Sequence, residues 1–151
     1  MKIKILIPIY NDWKSVFKVI DEINNLDLNR EFKISVIIIN DASNHDLPDL
    51  EKDFENIESI KILNMTKNQG HTRSIAAGLK YIFEKEDFDY AIPMDGDGED
   101  RPEETVALLD KNFSEPKMSV VAKRVKRSEG PLFQFFYKMH KIVTFLFTGK
   151  I

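Results

Sequence analysis

The sequence predicts an α/β fold with a mostly parallel central sheet, and three observations carry that prediction. Short β-branched runs alternate with helix-length amphipathic stretches, which is the order that βαβ units require. The richest run, Val36-Ile37-Ile38-Ile39, is apolar at every position, as suits a strand covered on both faces. Polar and acidic residues cluster just beyond the apolar runs, where an open parallel sheet gathers its ligands.

The elements follow in order. Residues 3–9 read as a first strand, and residues 12–26 as a helix with Val16, Val19, Ile20 and Ile23 at helical spacing. Residues 33–40 are a buried strand. A polar loop over 41–46 then leads to a short helix near 47–54. Residues 59–64 form a third strand. A helix over 70–83 carries Ile75, Leu79 and Ile82, with small Ala76, Ala77 and Gly78 allowing close packing. Residues 90–94 are a fourth strand, ending in an Asp/Gly-rich stretch over 95–100. Pro102 suits the first turn of a helix over 102–113, and Glu103 and Glu104 suit its dipole. A fifth strand over 117–122 and an aromatic-rich helix over 132–147 complete the chain.

A chain of 151 residues is long enough for one real hydrophobic core and too short for two comfortable ones. The organisation read here is a core over 1–130, followed by an aromatic amphipathic helix within 131–151. Cysteine is absent, which removes disulfides, thiolate metal sites and cysteine nucleophiles. The net charge of −3 gives no global pull toward nucleic acid. The opening apolar run stops at Pro8, too short for a signal peptide. No apolar run approaches the roughly 20 residues that span a bilayer. The expected location is the cytoplasm, at the inner face of a membrane.

Three strand ends carry polar residues able to converge. The first reads Pro8-Ile9-Tyr10-Asn11-Asp12, the second Asn40-Asp41-Ala42-Ser43, and the fourth Asp95-Gly96-Asp97-Gly98-Glu99-Asp100. Two carboxylates separated by a glycine can face one small volume, an arrangement that favours a hard divalent ion with oxygen ligands. Such an ion acts as a Lewis acid on a diphosphate leaving group. The glycines are expected to let the backbone approach the ligand. An EF-hand loop counted from Asp95 would need Gly at position 100 and Glu at position 106, where Asp100 and Val106 stand. A haloacid-dehalogenase-type motif belongs on a first strand and does not continue as Gly-Glu. The plain alternative is an acidic turn capping the next helix, which Asp100-Arg101-Pro102 partly fits.

Together with Lys67-Asn68-Gln69-Gly70, these motifs in this order resemble family 2 glycosyltransferases of the GT-A fold. Asn68-Gln69-Gly70, Ala76-Ala77-Gly78-Leu79 and the run from Met94 to Glu103 are most similar to the dolichol- and undecaprenyl-phosphate sugar transferase branch. The resemblance implies a Rossmann-like three-layer fold and transfer of a sugar from a nucleotide-diphosphate donor to a polyprenyl phosphate. It implies Mg2+ or Mn2+ held by Asp95 and Asp97, with Asp97 catalytic. Pro8, Tyr10 and Asp12 would line the pocket for base and ribose. Asp41 would hydrogen-bond the base with Ser43 nearby, while Gly70, Asp95 and Gly96 complete the donor site. Arg124 matches the arginine that meets the acceptor phosphate, and its planar fork suits phosphate oxygens. Lys123, Lys126 and Arg127 make the surroundings basic, and a solvated surface run is the alternative reading for them.

A phosphate acceptor is already an anion, so no strong general base is required. His45, His71 and His140 are accordingly read as surface or packing residues. Two other functions share these residues: a GT-A transferase with a saccharide acceptor, and a non-catalytic nucleotide-binding module. The donor base is expected to be uridine, with guanosine the rival. The final helix is too charged to span a bilayer and could lie at its interface or cover itself by homodimerisation through residues 131–148. The family's catalytic domain continues with further strands, so the chain is read as C-terminally truncated.

Overall fold

The computed structural model describes residues 1–27, 32–47, 53–114, 119–121 and 131–148. They fall into two compact units, Met1–Val120 and Val121–Ile151. In the first, β1 (Lys2–Ile9), α1 (Trp13–Asn24), β2 (Lys33–Asn40), β3 (Ile57–Asn64), α2 (His71–Lys85), β4 (Tyr90–Pro93) and α3 (Pro102–Ser114) follow one another. The second contains α4 (Pro131–Thr148).

The described strands form one sheet in the order β3-β2-β1-β4, and every pairing is parallel. The chain steps outward from β1 to β2 to β3, then returns to the other side of β1 for β4. Strand order therefore reverses between β1 and β4, and such a reversal opens a crevice at the carboxyl ends of those strands.

Alternation along the strands splits the apolar residues between two faces. Ile3, Ile5, Ile7 and Ile9 of β1 join Ile34, Val36 and Ile38 of β2 under α1 and Leu109 of α3. Leu6, Ile37 and Ile39 point the other way and meet Ile82 of α2. The result is three layers. α1 buries Trp13, Val16, Val19, Ile20 and Ile23. At about 1.5–3 kcal/mol for each large apolar side chain, this burial outweighs the intrinsic preference of a 12-residue helix, which alone is marginal in water. Trp13 stacks on Phe17 with ring centres 6.2 Å apart. Its indole N–H donates to the carbonyl of His45 at 3.3 Å.

Element boundaries shift for identifiable reasons. α1 begins at Trp13 because the Asp12 carboxylate accepts from the Ser15 N–H at 3.2 Å and caps it. β3 begins two residues earlier than its apolar run suggests. A register irregularity beside Ile34 and Ser35 lets Ile57 pair with Ile34 and enter the core at 7% exposure. β4 ends at Pro93, although the Met94 N–H still donates to the Leu6 carbonyl at 2.9 Å. Of the fifth strand expected over 117–122, residues 119–121 are described and carry no strand. The rest of it, and residues 48–52 of the short helix expected near 47–54, lie outside the described residues.

A charged cluster closes the amino-terminal end of the sheet on the α2 side. Lys4, buried on β1, donates to the Ser35 hydroxyl at 3.1 Å. It also lies 3.3 Å from Glu86, just past the end of α2. Lys61 of β3 meets the other Glu86 oxygen at 2.5 Å. The hydrogen bond from Lys61 holds the Glu86 carboxyl below its ordinary range, against the upward push of burial, and Lys4 adds to the effect.

In the second unit, the rings of Phe135 and Phe136 meet edge to face at 5.8 Å. The Lys141 ammonium sits 5.2 Å from the Tyr137 ring centre. Among the described residues, no helix is long and apolar enough to cross a membrane.

Candidate functional site

A cleft opens where the strand order reverses. Pro8, Ile9 and Tyr10 form one wall at the end of β1, continued by Asp12 and Val16 of the loop and α1. Asp95, Gly96 and Asp97 form the facing wall after β4, and His71 enters from the start of α2. Its volume of about 200 Å³ falls below the several hundred usual for a whole cofactor-sized ligand. A cleft of this size would hold only part of such a ligand.

Six of the residues singled out from sequence are brought together here: Pro8, Tyr10, Asp12, Asp95, Gly96 and Asp97. Asp41, Ser43 and Gly70 are not among the residues that line the cleft. Asp41 is 4% exposed. One of its oxygens accepts the Gln69 N–H at 2.7 Å and the other the Gly70 N–H at 2.8 Å. The Ser43 hydroxyl accepts the Asn11 N–H at 2.8 Å, and the Asn11 side chain in turn accepts from the Asn44 and His45 N–H groups. The end of β2 thus braces the loop after β1 and the turn before α2. Two non-glycine residues in this network, Asn11 (φ 64°) and Ala42 (φ 58°), occupy the left-handed region. Backbone strain of this kind is tolerated where surrounding bonds fix it. Arg124 lies outside the described residues, as do Lys123, Lys126 and Arg127.

The acidic wall gathers several carboxylates around Asp95. Burial raises the Asp95 carboxyl above its ordinary range, and Asp100, Asp97 and Glu99 push it further the same way. His71 opposes them, its Nε2 lying 3.3 Å from Asp95. Asp97 turns one oxygen to the Glu99 N–H at 2.9 Å, and Asp100 accepts from the Asp95 N–H at 3.0 Å. The stretch is therefore folded as a tight acidic turn. A Cβ placed on Gly96 would meet Val16 at 2.8 Å and Ile7 at 3.0 Å. The small residue therefore packs closely on Val16 and Ile7 while also lining the cleft.

The carboxylate pair suits a divalent ion in one specific sense. Among the described residues no cluster of three acidic or histidine ligands forms, whereas a magnesium-type site commonly takes one or two carboxylates plus substrate phosphates and water. Asp95 and Asp97 would supply the two carboxylates of such a site.

His71, read from the sequence as a surface or packing residue, is exposed and also lines the cleft. The available signal was its position immediately after Gly70, at a turn leading back to the ligand end of the sheet.

The uncharacterized protein MJ0544 of Methanocaldococcus jannaschii is 24% identical over 108 residues, 70% of this chain and 44% of that protein. The uncharacterized glycosyltransferase sll0501 of Synechocystis sp. is 26% identical over 145 residues, covering 95% of this chain and 44% of that one. The chain thus spans less than half the length of these relatives. Among solved structures, S. aureus TarS 1-349 shares the fold with a TM-score of 0.51 at 20% identity, over 75% of this chain and 33% of that one. The TarS complex with UDP-GlcNAc matches with the same score, identity and share of this chain, and over 32% of its own. The strand arrangement and these neighbours establish the α/β GT-A fold. The sequence profile described as Glycosyl transferase family 2 matches residues 4–149, and the chain belongs to that family.

Proposed function

We propose that this chain forms the donor-binding part of a glycosyltransferase that moves a sugar from a nucleoside diphosphate to a lipid phosphate. The observation that carries the reading is the meeting of Tyr10 and Asp12 with Asp95 and Asp97 in one cleft at the strand-order reversal. The TarS structure with UDP-GlcNAc supports a nucleotide-sugar donor, with uridine the first base to test and guanosine the second.

In the proposed reaction an acceptor phosphate oxygen attacks the anomeric carbon. A carbon–oxygen bond forms, the bond to the donor diphosphate breaks, and its electron pair leaves with the nucleoside diphosphate. A bound Mg2+ or Mn2+ would neutralise the charge that grows on that leaving group. Asp95 and Asp97 would hold the ion, and Pro8, Tyr10 and Asp12 would orient the nucleoside. Because the attacking oxygen is already ionised, no general base needs to stand in the cleft. Arg124 is proposed for the acceptor phosphate on sequence grounds, and α4 for the membrane interface where such an acceptor resides.

Calorimetric titration with uridine and guanosine diphosphates, with and without Mg2+ or Mn2+, tests the donor site. The expected result is binding of one nucleotide that chelator abolishes and that Asp97→Ala weakens at least about tenfold, or about 1.4 kcal/mol. Wild-type affinity in folded Asp97→Ala would remove the metal role.

A further inference from the structure

We infer that Asp41 is a positioning residue for the donor site, and that the group it positions is His71, which meets the diphosphate end of the donor beside Asp95. The inference rests on the donor-site reading above and deepens it.

The geometry around Asp41 leaves little of its side chain for a ligand. It is 4% exposed, and each of its oxygens already accepts a backbone N–H from the turn before α2. A buried carboxylate is costly unless hydrogen bonds compensate it, and these two charge-assisted bonds supply that compensation. Its own N–H donates to the Ile9 carbonyl at 2.9 Å. Asp41 thus ties the end of β1, which forms one cleft wall, to residues 69 and 70.

Gly70 sits at φ 86°, a conformation that side chains other than glycine rarely adopt. Its carbonyl accepts from the Arg73 and Ser74 N–H groups at 3.1 Å each. The Ser74 hydroxyl, fully buried, also reaches it at 3.2 Å. The turn is therefore held from both sides, and the next residue is His71. Its imidazole lines the cleft and lies 3.3 Å from Asp95. With a donor diphosphate held beside Asp95, the imidazole N–H would be placed to donate to its phosphate oxygens. Asp41 therefore acts one residue away from the ligand, through the backbone.

A double-mutant cycle separates this from direct recognition of the base. Binding of uridine and guanosine diphosphates with Mg2+ is measured for the wild type, Asp41→Asn, His71→Ala and the double variant. Asparagine is nearly isosteric but turns an N–H2 toward a backbone N–H. Each single variant should bind about tenfold more weakly, corresponding to 1.4 kcal/mol. The double variant should bind no more weakly than His71→Ala, with the uridine-to-guanosine preference unchanged. Full additivity, or a changed base preference in Asp41→Asn, would assign Asp41 to the base and overturn the inference. Wild-type affinity in His71→Ala would overturn it too.

A second readout uses the nucleotide-free protein. In Asp41→Asn, NMR should show faster amide exchange at Gln69 and Gly70 and displaced His71 ring signals. Unmoved ring signals would overturn the Asp41–His71 link. Should Asp41→Asn not fold, Gly70→Ala reaches the same turn; an added Cβ there meets nothing within 4 Å, so only the backbone angle is strained. It should displace the same ring signals. If the folded wild type binds neither nucleotide, the donor reading and the diphosphate role of His71 fall, while the ring signals still decide what Asp41 positions.

Discussion

The two ends of the parallel sheet handle charge in opposite ways. At the amino-terminal end, Glu86 lies between Lys4 and Lys61, with side chains 7%, 10% and 46% exposed. Each formal charge there has an opposite partner in contact. At the carboxyl end, Asp95 is crowded by Asp97, Glu99 and Asp100, with His71 the group opposing them. A closed set of charges is what a fold uses to fasten a helix to a sheet. Carboxylates gathered along a cleft, with burial raising one of them, favour a ligand of opposite charge, which is why the carboxyl end, and not the equally polar amino end, is read as the site.

Substitutions at the two ends should therefore give opposite results. The largest effect is expected from Glu86→Ala, which leaves buried Lys4 with the Ser35 hydroxyl and the weaker pull of Asp87. Breaking a buried pair on one side is strongly destabilising, and here urea denaturation should show a loss of about 2–3 kcal/mol. Nucleotide binding by the folded protein should not change. If stability is unaffected, the cluster at the amino end is not a fastening.

Acid should sharpen the contrast. The folded Glu86 carboxyl titrates below its ordinary value of 4.5, with the Lys61 hydrogen bond as the largest cause. A depressed acid pKa means that the unfolded chain binds the proton more readily. The stabilisation is then fully present above the ordinary value and is lost as pH falls through the folded one. Wild type should accordingly exceed Glu86→Gln in stability by about 1–2 kcal/mol at pH 7, the scale of a charge-assisted hydrogen bond. The gap should close below pH 4.5. Parallel denaturation curves at several pH values check this, and a gap independent of pH would mean that charge plays no part.

At the other end, Asp95→Asn should raise stability without metal by a few tenths of a kcal/mol, a small gain because the side chain is 46% exposed. Metal-dependent nucleotide binding should weaken in the same variant. A loss of stability would instead make the acidic turn a structural device. The smallest effect is expected at Ala42, in the left-handed region at φ 58°. Ala42→Gly removes that strain while adding unfolded-state entropy, for a net gain of about 0.5 kcal/mol in thermal denaturation.

The same contrast marks what could be read from the sequence. Burial follows local pattern, so the strands around Ile3 to Ile9 and Val36 to Ile39 were visible in their apolar runs. The acidic stretch after β4 was visible because its residues are adjacent in the chain, and Pro8, Tyr10 and Asp12 because they sit together at one strand end. The Lys4–Glu86–Lys61 cluster was not visible, since its members come from separate elements and meet only once strand order is known. For the same reason the bonds that Asp41 accepts from the Gln69 and Gly70 N–H groups were not visible. That a carboxylate faces inward toward a distant turn depends on how β2 and α2 are placed, and residue type does not encode it.

Trp13 offers a practical consequence. It is the sole tryptophan of the chain, next to Asp12 in the cleft wall, with its indole N–H bonded to the loop after β2. The fluorescence of this protein excited at the red edge of indole absorption therefore comes from one emitter, seated where the loops that frame the site meet the core. Quenching or a spectral shift upon adding a nucleotide reports on that junction without any label, and the same signal followed in denaturant reports the unfolding of α1 from the sheet.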